Sequence, residues 1–532
     1  MARKSLWKIG LGTDRVMVIG VFLPVPNRDH VGFRAGRRVD VIVQYKTSPG
    51  PRQHAALQAK GGRFRSALPL VRAAAYSLPY AALEALAADP DVAYVSPDRP
   101  VTASLDYATR AAQVDAAWVS YGLDGTGIGV AVIDSGIADV NDVHNRLVYS
   151  QSFIPANNSV KDVYGHGTHV AGILAGNGKS STGGGYTRTF KGLAPNANII
   201  SLRVLDDSGA GNESAVIAAI QKAVSLKNTY NVRVINLSLG RPVRESFRTD
   251  PLCQAVEAAW KAGIVVVVAA GNEGRNNSKG TDGYGTIGSP GNDPYVITVG
   301  ATKTLRTMGR SDDLVASYSS KGPTAIDHIV KPDLLAAGNR LVSLYGPGST
   351  LSNLYPENLV PVGYYKTGGS VTPSTAYFTL SGTSMAAPIV SGAAVLLLQR
   401  TPSLTPDQVK ARLMKTAYKA FPATSTTLDP VTGAVYTTHG DSFTIGAGYL
   451  DLAATLANQD TLGGRALSPT AVYDPVTHLV RLTSSASVVS DSTAIWGDTA
   501  IWGDTAIWGD TAIWGDTQVS GESAIVTIRG EN

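Results

Sequence analysis

The sequence predicts an α/β protein with a doubly wound, mainly parallel sheet covered by helices on both faces, preceded by a small α+β unit. Two observations carry that prediction. From Trp118 to about residue 457, continuous apolar runs bounded by glycine alternate with longer stretches of helical period, the pattern of strands buried on both faces of a parallel sheet. Ahead of it, residues 39–98 hold a β-α-β-β-α-β order, the split βαβ arrangement of a ferredoxin-like unit.

In chain order, residues 1–36 are a basic leader. Arg3, Lys4, Lys8 and Arg15 flank the short apolar run 16–23, as in a secretion signal, but no small-residue cleavage site follows Pro24 to Pro26. A cleaved signal and a plain basic leader both stay open. Residues 37–104 form the α+β unit, with an alternating strand at 39–45, helical stretches at 52–60 and 79–88, apolar runs within 64–78, and a last strand at 92–95. Residues 105–457 form the α/β domain, with strands expected at 128–133, 199–205, 232–237, 264–269 and 295–299. Its helices are expected at 166–175, 214–227, 251–262, 384–400 and 405–416. The stretch 338–377, rich in Gly, Ser, Pro and Tyr, reads as a surface insertion. Residues 458–532 are a β-like tail in which Thr-Ala-Ile-Trp-Gly-Asp occurs four times from 493 to 516, a repeated short strand and turn.

Composition excludes several classes. The chain has 532 residues, 44% hydrophobic and 16% charged, with one cysteine, which rules out a mainly disordered or disulfide-stapled protein. Cys253 reads as a small buried apolar residue. The net charge of +5 suggests nucleic acid until its distribution is read: 14 of the 46 Lys and Arg, but 3 of the 41 Asp and Glu, fall in residues 1–72. The rest is acidic on balance, so no nucleic-acid partner is expected. No apolar run reaches the length of about 18 residues that a membrane span needs, so no transmembrane segment is expected.

Three glycine-framed boxes carry chemistry. Val-Ala-Val-Ile-Asp-Ser-Gly at 130–136 puts Asp134 at the C-terminal end of an apolar strand, the edge where parallel sheets place their sites. Gly-His-Gly-Thr-His-Val-Ala-Gly at 165–172 puts His166 at a helix start. Ser-Gly-Thr-Ser-Met-Ala-Ala-Pro at 381–388 lets Ser384 open an apolar helix, where backbone N–H groups favour developing negative charge. Singly, each residue reads as an ordinary cap or turn. In this order and framing they resemble the subtilisin-like serine proteases, or subtilases, over about residues 39–457.

The resemblance implies a fold, an activity and roles. Ser384 would be the nucleophile, His166 the general base and acid, and Asp134 the group that fixes the imidazole. Ala-Ala-Gly-Asn-Glu at 269–273 resembles the oxyanion-hole box, with Asn272 as donor. Ser208, Gly209, Ala210 and Gly211, with Ser238, Leu239 and Gly240, resemble the two segments that flank an extended peptide. Ala269, Ala270, Gly271 and Gly288 would wall a first specificity pocket with room for a large apolar side chain. Residues 37–104 resemble the inhibitory propeptide, expected to be cut off by the enzyme itself near 100–106. The expected protein is thus a secreted or envelope-exported endopeptidase made as a self-processing zymogen. Its partners are protein or peptide substrates and its own propeptide.

No cofactor is expected for catalysis. Family members often bind a structural calcium; Asp139, Asp142 and the loop 176–191 are candidates, none matching closely enough to assign. His166 and His169 lack the Glu of a zinc protease box, and Gly-Thr-Gly-Ile-Gly at 125–129 precedes its strand instead of following it, which speaks against a dinucleotide site. The competing reading is a surface- or partner-binding protein acting through the Trp-rich repeats.

Overall fold

The structure, a computed structural model, describes residues 38–97 and 105–483 apart from 69–71, 80, 88, 156, 306, 308, 430–431, 461–462 and 475–478. It also describes 501–502, 518–520 and 530–531. The leader, most of the expected self-cleavage region and all of the repeats except Ile501 and Trp502 lie outside the described residues. The chain divides into two compact units, Met1–Thr102 and Ala103–Asn532.

In the first unit, strands β1 (Arg38–Tyr45), β2 (Arg63–Leu68), β3 (Ala73–Pro79) and β4 (Val92–Pro97) form an antiparallel sheet in the order β2-β3-β1-β4. Val41, Val43 and Tyr45 alternate on the buried face, because successive strand side chains point to opposite sides. They pack with Tyr76 and Leu78, and with Leu57 and Leu86 from the helices Pro51–Ala59 and Ala82–Ala87.

The second unit is built on parallel strands β5 (Gly129–Asp134), β6 (Leu147–Ser152), β7 (Asn198–Arg203), β9 (Val232–Leu237), β10 (Val265–Ala269) and β11 (Ile297–Lys303), while β8 (Ala210–Asn212) lies outside this sheet. The parallel order is β6-β7-β5-β9-β10-β11. Short β12 (Leu314–Val315) adds antiparallel to β11, and β13 (Leu334–Ala337) adds parallel to it. Every residue of β5, β10 and β11 is buried, as a sheet covered on both faces requires. Helix His166–Ala175 packs on helix Thr383–Arg400, and Glu213–Ser225 on Pro251–Lys261. Winding runs to β6 and β7 on one side of β5 and to β9, β10 and β11 on the other. The C-terminal ends of β5 and β9 therefore flank a switch point, where such sheets open a crevice.

One expectation is corrected. Residues 338–377 are a surface segment only in part: residues 353–373 are mostly exposed or half-buried, but the stretch also carries buried β14 (Leu341–Leu344) and, with β15 (Leu359–Pro361) and β16 (Pro373–Leu380), a three-stranded sheet. Gly, Ser and Pro gave a loop-like composition, but Tyr365 and Tyr377 pack edge to face with Phe190 and are buried there. Hairpin β17 (Thr424–Leu428) and β18 (Val435–His439) follows. The tail gives antiparallel β19 (Thr470–Asp474), β20 (Leu479–Thr483) and β21 (Ile501–Trp502), and β22 (Gln518–Ser520), which pairs with β8. Cys253 is buried with Phe247 and Ile329, and burial raises its thiol pKa. No helix among the described residues is long and apolar enough to cross a membrane.

Candidate active site

Asp134 leaves the end of β5 fully buried, and its Oδ1 accepts from Ser135 N–H at 2.7 Å and from His166 Nδ1–H at 2.8 Å. That second bond fixes which ring nitrogen carries the proton. Its close approach depends on Gly167: a Cβ there would sit 2.1 Å from the Gly136 carbonyl oxygen and 3.1 Å from Asp134 Oδ1. Only glycine lets the helix come this near the strand end.

Asp162, which the sequence reading missed, clamps the same junction. Buried, it accepts from Ser135 Oγ (2.8 Å) and Gly165 N–H (2.7 Å) on Oδ1, and from Thr168 N–H (2.8 Å) and the Thr168 hydroxyl on Oδ2. Ser135 Oγ in turn accepts from Gly167 N–H at 2.9 Å. Burial raises the Asp162 pKa, against four hydrogen bonds that lower it. Its signal in sequence is faint: an acid just ahead of a helix start, where N–H groups lack intrahelical acceptors.

Ser384 is the second residue of helix Thr383–Arg400. Pro388, four residues on, has no N–H, so the Ser384 carbonyl lacks its helical donor. Ser238 Oγ, just past β9, donates to it at 2.8 Å, while Ser384 Oγ donates to the Ser238 carbonyl at 3.1 Å. Past β10, Asn272 is turned by the neighbour of Ser384: its Oδ1 accepts from Thr383 N–H at 2.9 Å and from the Thr383 hydroxyl at 3.2 Å. With Oδ1 so held, the buried Nδ2 donor has no partner among the described residues. An orphaned, oriented amide donor is costly in a folded core and marks a place where an acceptor arrives.

The remaining sequence candidates fall in two places. Gly240, Arg241, Gly288 and Ser289 are tied together: Arg241 N–H donates to the Ser289 carbonyl at 3.0 Å and Ser289 N–H returns the bond at 2.8 Å. Gly288 N–H donates to the Ala270 carbonyl at 3.1 Å, which brings Ala269, Ala270 and Gly271 to the same loops, and Leu239 is buried beneath. Ser208, Gly209, Ala210 and Gly211 form a separate turn and strand, in which Asp206 Oδ1 accepts from Ser208 and Ala210 N–H. Gly209 lies flat on Tyr164, where a Cβ would meet the ring at 2.5 Å.

His169, one turn from His166, is a core residue. Its Nε2–H donates to the Leu341 and Phe378 carbonyls at 3.2 and 3.1 Å, and burial lowers its pKa to about 3. The native state resists protonation that the unfolded chain accepts near 6.5. This group's contribution is therefore complete above about pH 6.5 and is lost as pH falls toward 3, at up to about 1.4 kcal/mol per pH unit. Chemical denaturation across pH 3.5–7 is expected to give a shallower acid slope in His169→Gln than in the parent.

Two of the calcium candidates are held by donors of the protein. Asp139 is exposed and accepts from His144 Nδ1 at 2.9 Å. Asp142 is buried, with Oδ1 accepting from Ser180 N–H at 2.7 Å and Oδ2 from the Tyr377 hydroxyl at 2.9 Å. Each Asp142 oxygen thus accepts from one donor, and one of these comes from the loop 176–191. Among the described residues no three His, Cys, Asp or Glu converge to hold a metal.

Comparison with known proteins identifies the family from the sequence. Serine protease AprX of Bacillus subtilis is 38% identical over 322 residues, 59% of this chain and 67% of that protein. Subtilisin E of the same species is 34% identical over 365 residues, covering 68% and 79%. Among solved structures, a cold adapted subtilisin-like serine proteinase aligns at 30% identity and a TM-score of 0.40, over 56% of this chain and 84% of that one. The subtilase family model, Peptidase_S8, matches residues 125–448, more than half of the chain and all three glycine-framed boxes. The chain therefore belongs to the subtilase family and is a subtilisin-like serine endopeptidase.

Proposed function

We propose that Asp134, His166 and Ser384 act as the catalytic triad of a secreted endopeptidase made as a self-processing zymogen. The observation that carries the reading is the buried 2.8 Å bond from His166 Nδ1–H to Asp134 Oδ1 at the sheet's switch point. Ser384 Oγ attacks the scissile carbonyl carbon while His166 Nε2 takes its proton. The tetrahedral oxyanion accepts from Ser384 N–H and Asn272 Nδ2–H. Collapse expels the amine, which leaves with the proton from His166, and water repeats the sequence to release the acid. No step needs a metal or cofactor.

An extended peptide lies between residues 208–211 and 238–240 as an added strand, held by its backbone with little regard to sequence. Ala269, Ala270, Gly271 and Gly288 shape the first pocket, and their small size supports a large apolar residue before the cleaved bond. Residues 37–104 act as folding aid and inhibitor; their compactness as a separate unit and the basic bias of the N-terminus support a piece that is released. The binding-protein alternative draws no support from the described residues, which include only Ile501 and Trp502 of the repeats.

Intact mass spectrometry with a serine-directed fluorophosphonate tests the reading: one adduct mapped to Ser384, on a chain shortened near 100–106, is expected. A full-length, unlabelled wild type would overturn it. Asn272→Ala is expected to lower kcat by about 10² to 10³ with KM nearly unchanged, the size found on removing the oxyanion donor of subtilisin. Steady-state kinetics on a peptide amide, with circular dichroism to check the fold, decides it.

A further inference from the structure

The end of the chain returns to the catalytic unit at two places that no motif announces. Glu531 is buried, and its carboxylate meets four donors: Ser317 N–H at 2.9 Å and Lys303 Nζ at 3.3 Å on Oε1, Arg275 Nη2 at 2.8 Å and the Ser317 hydroxyl on Oε2. Its main chain is gripped as well. Glu531 N–H donates to Asn339 Oδ1 at 2.9 Å, and its carbonyl accepts from Asn339 Nδ2 at 2.8 Å. A Cβ on Gly530, whose φ is +70°, would sit 2.6 Å from Ser381 Oγ. The pocket therefore selects a glycine followed by an acid.

The pocket borders the catalytic loops. Arg275 lies three residues past Asn272, and Arg340, next to Asn339, donates its N–H to Ser381 Oγ at 2.8 Å. Upstream, β22 pairs antiparallel with β8: Gln518 faces Asn212, Val519 faces Gly211 and Ser520 faces Ala210. Residues 210 and 211 belong to the edge assigned above to substrate.

We propose that the Gly530-Glu531 end anchors an intramolecular ligand, holding β22 on the peptide-binding edge so that substrate must displace it. The proposal rests on the assignment of residues 208–211 to substrate. Both occupants use the same backbone donors and acceptors of one strand edge, so they exclude each other. A tethered strand competes at an effective concentration on the order of millimolar. If it is docked nine-tenths of the time, about one molecule in ten is open, and the apparent KM rises about tenfold with kcat unchanged.

The test uses three processed enzymes counted by fluorophosphonate titration: the full chain, a chain ending at Asp516, and Glu531→Ala. Each is assayed on a tetrapeptide amide spanning the unprimed side and on an amide with only the residue before the cleaved bond. Expected are an about tenfold lower KM for the tetrapeptide in the shortened chain, a fall in the same direction in Glu531→Ala, and no change on the single-residue amide. A synthetic peptide of residues 517–532 should inhibit the shortened chain competitively. Should that chain fail to fold, full-length Val519→Pro, which loses a strand N–H but keeps the anchor, is expected to show the same fall.

Equal tetrapeptide KM values in full and shortened chains, or in wild type and Val519→Pro, would overturn the proposal. Failure of the underlying assignment looks different: the shortened chain would then not favour the tetrapeptide over the single-residue amide at all.

Discussion

Ser384→Ala is expected to lower kcat by about 10⁶, the loss found when the nucleophile of subtilisin is removed. Without Oγ no acyl-enzyme forms, and the residual rate comes from Asn272 and substrate positioning alone. The same change is expected to leave the N-terminal segment attached, because the cut near 100–106 would be the enzyme's own. Intact mass and progress curves on a peptide amide read both effects in one preparation. A mutant still shortened near that position, expressed without other proteases, would show that the cut does not need Ser384 and would overturn the self-cleavage reading. A mutant keeping more than a hundredth of the activity would remove Ser384 from the nucleophile's role.

Asp134→Asn comes second, with an expected loss of about 10⁴ in kcat, the size found for the same change in a serine protease triad. The carboxylate accepts the proton of His166 Nδ1 and is itself held by Ser135 N–H. Both donors address the same Oδ1, so an asparagine that keeps its oxygen there leaves an uncharged partner for the imidazolium, and one that places its N–H₂ there turns a donor toward the ring. The ring must then accept at Nδ1 and carry its proton on Nε2, where it cannot take one from Ser384. The fold should survive, since the change is nearly isosteric. Thermal melting separates the cases: a Tm near that of the parent with a 10⁴ loss supports the tautomer argument, whereas unfolding would mean that Asp134 acts chiefly as a structural group. Fluorophosphonate labelling should slow in proportion.

Both substitutions lie in boxes that were legible before any coordinates, and the reason is local. A strand that ends in a catalytic acid, a helix that begins with His166 and a helix that begins with Ser384 must each be framed by residues small enough for close approach. Gly167 and the Gly382-Thr383 start are such residues. The periodicity of the apolar strands was equally local, and Val232–Leu237 forms the strand its sequence suggests. Asp162 escaped because its hydrogen bonds to Ser135, Gly165 and Thr168 are visible only when the strand end and the helix start meet. Of the 338–377 segment, the buried part was hidden because loop-like composition conceals burial made by distant aromatic partners.

The sequence by itself determined the class of chemistry, the family, the order of the reacting residues and the alternation of strand and helix. These follow from short-range rules of periodicity, capping and glycine placement. Only the tertiary structure decided how Asn272 is turned by Thr383, how Ser238 replaces the helical donor that Pro388 lacks, and how Ser180 and Tyr377 hold Asp142. It alone placed Glu531 in a pocket made by Arg275, Lys303, Ser317 and Asn339. Each of these depends on contacts between residues far apart in the chain. A hydrogen bond is set by the distance and angle between its two atoms, which sequence separation does not encode.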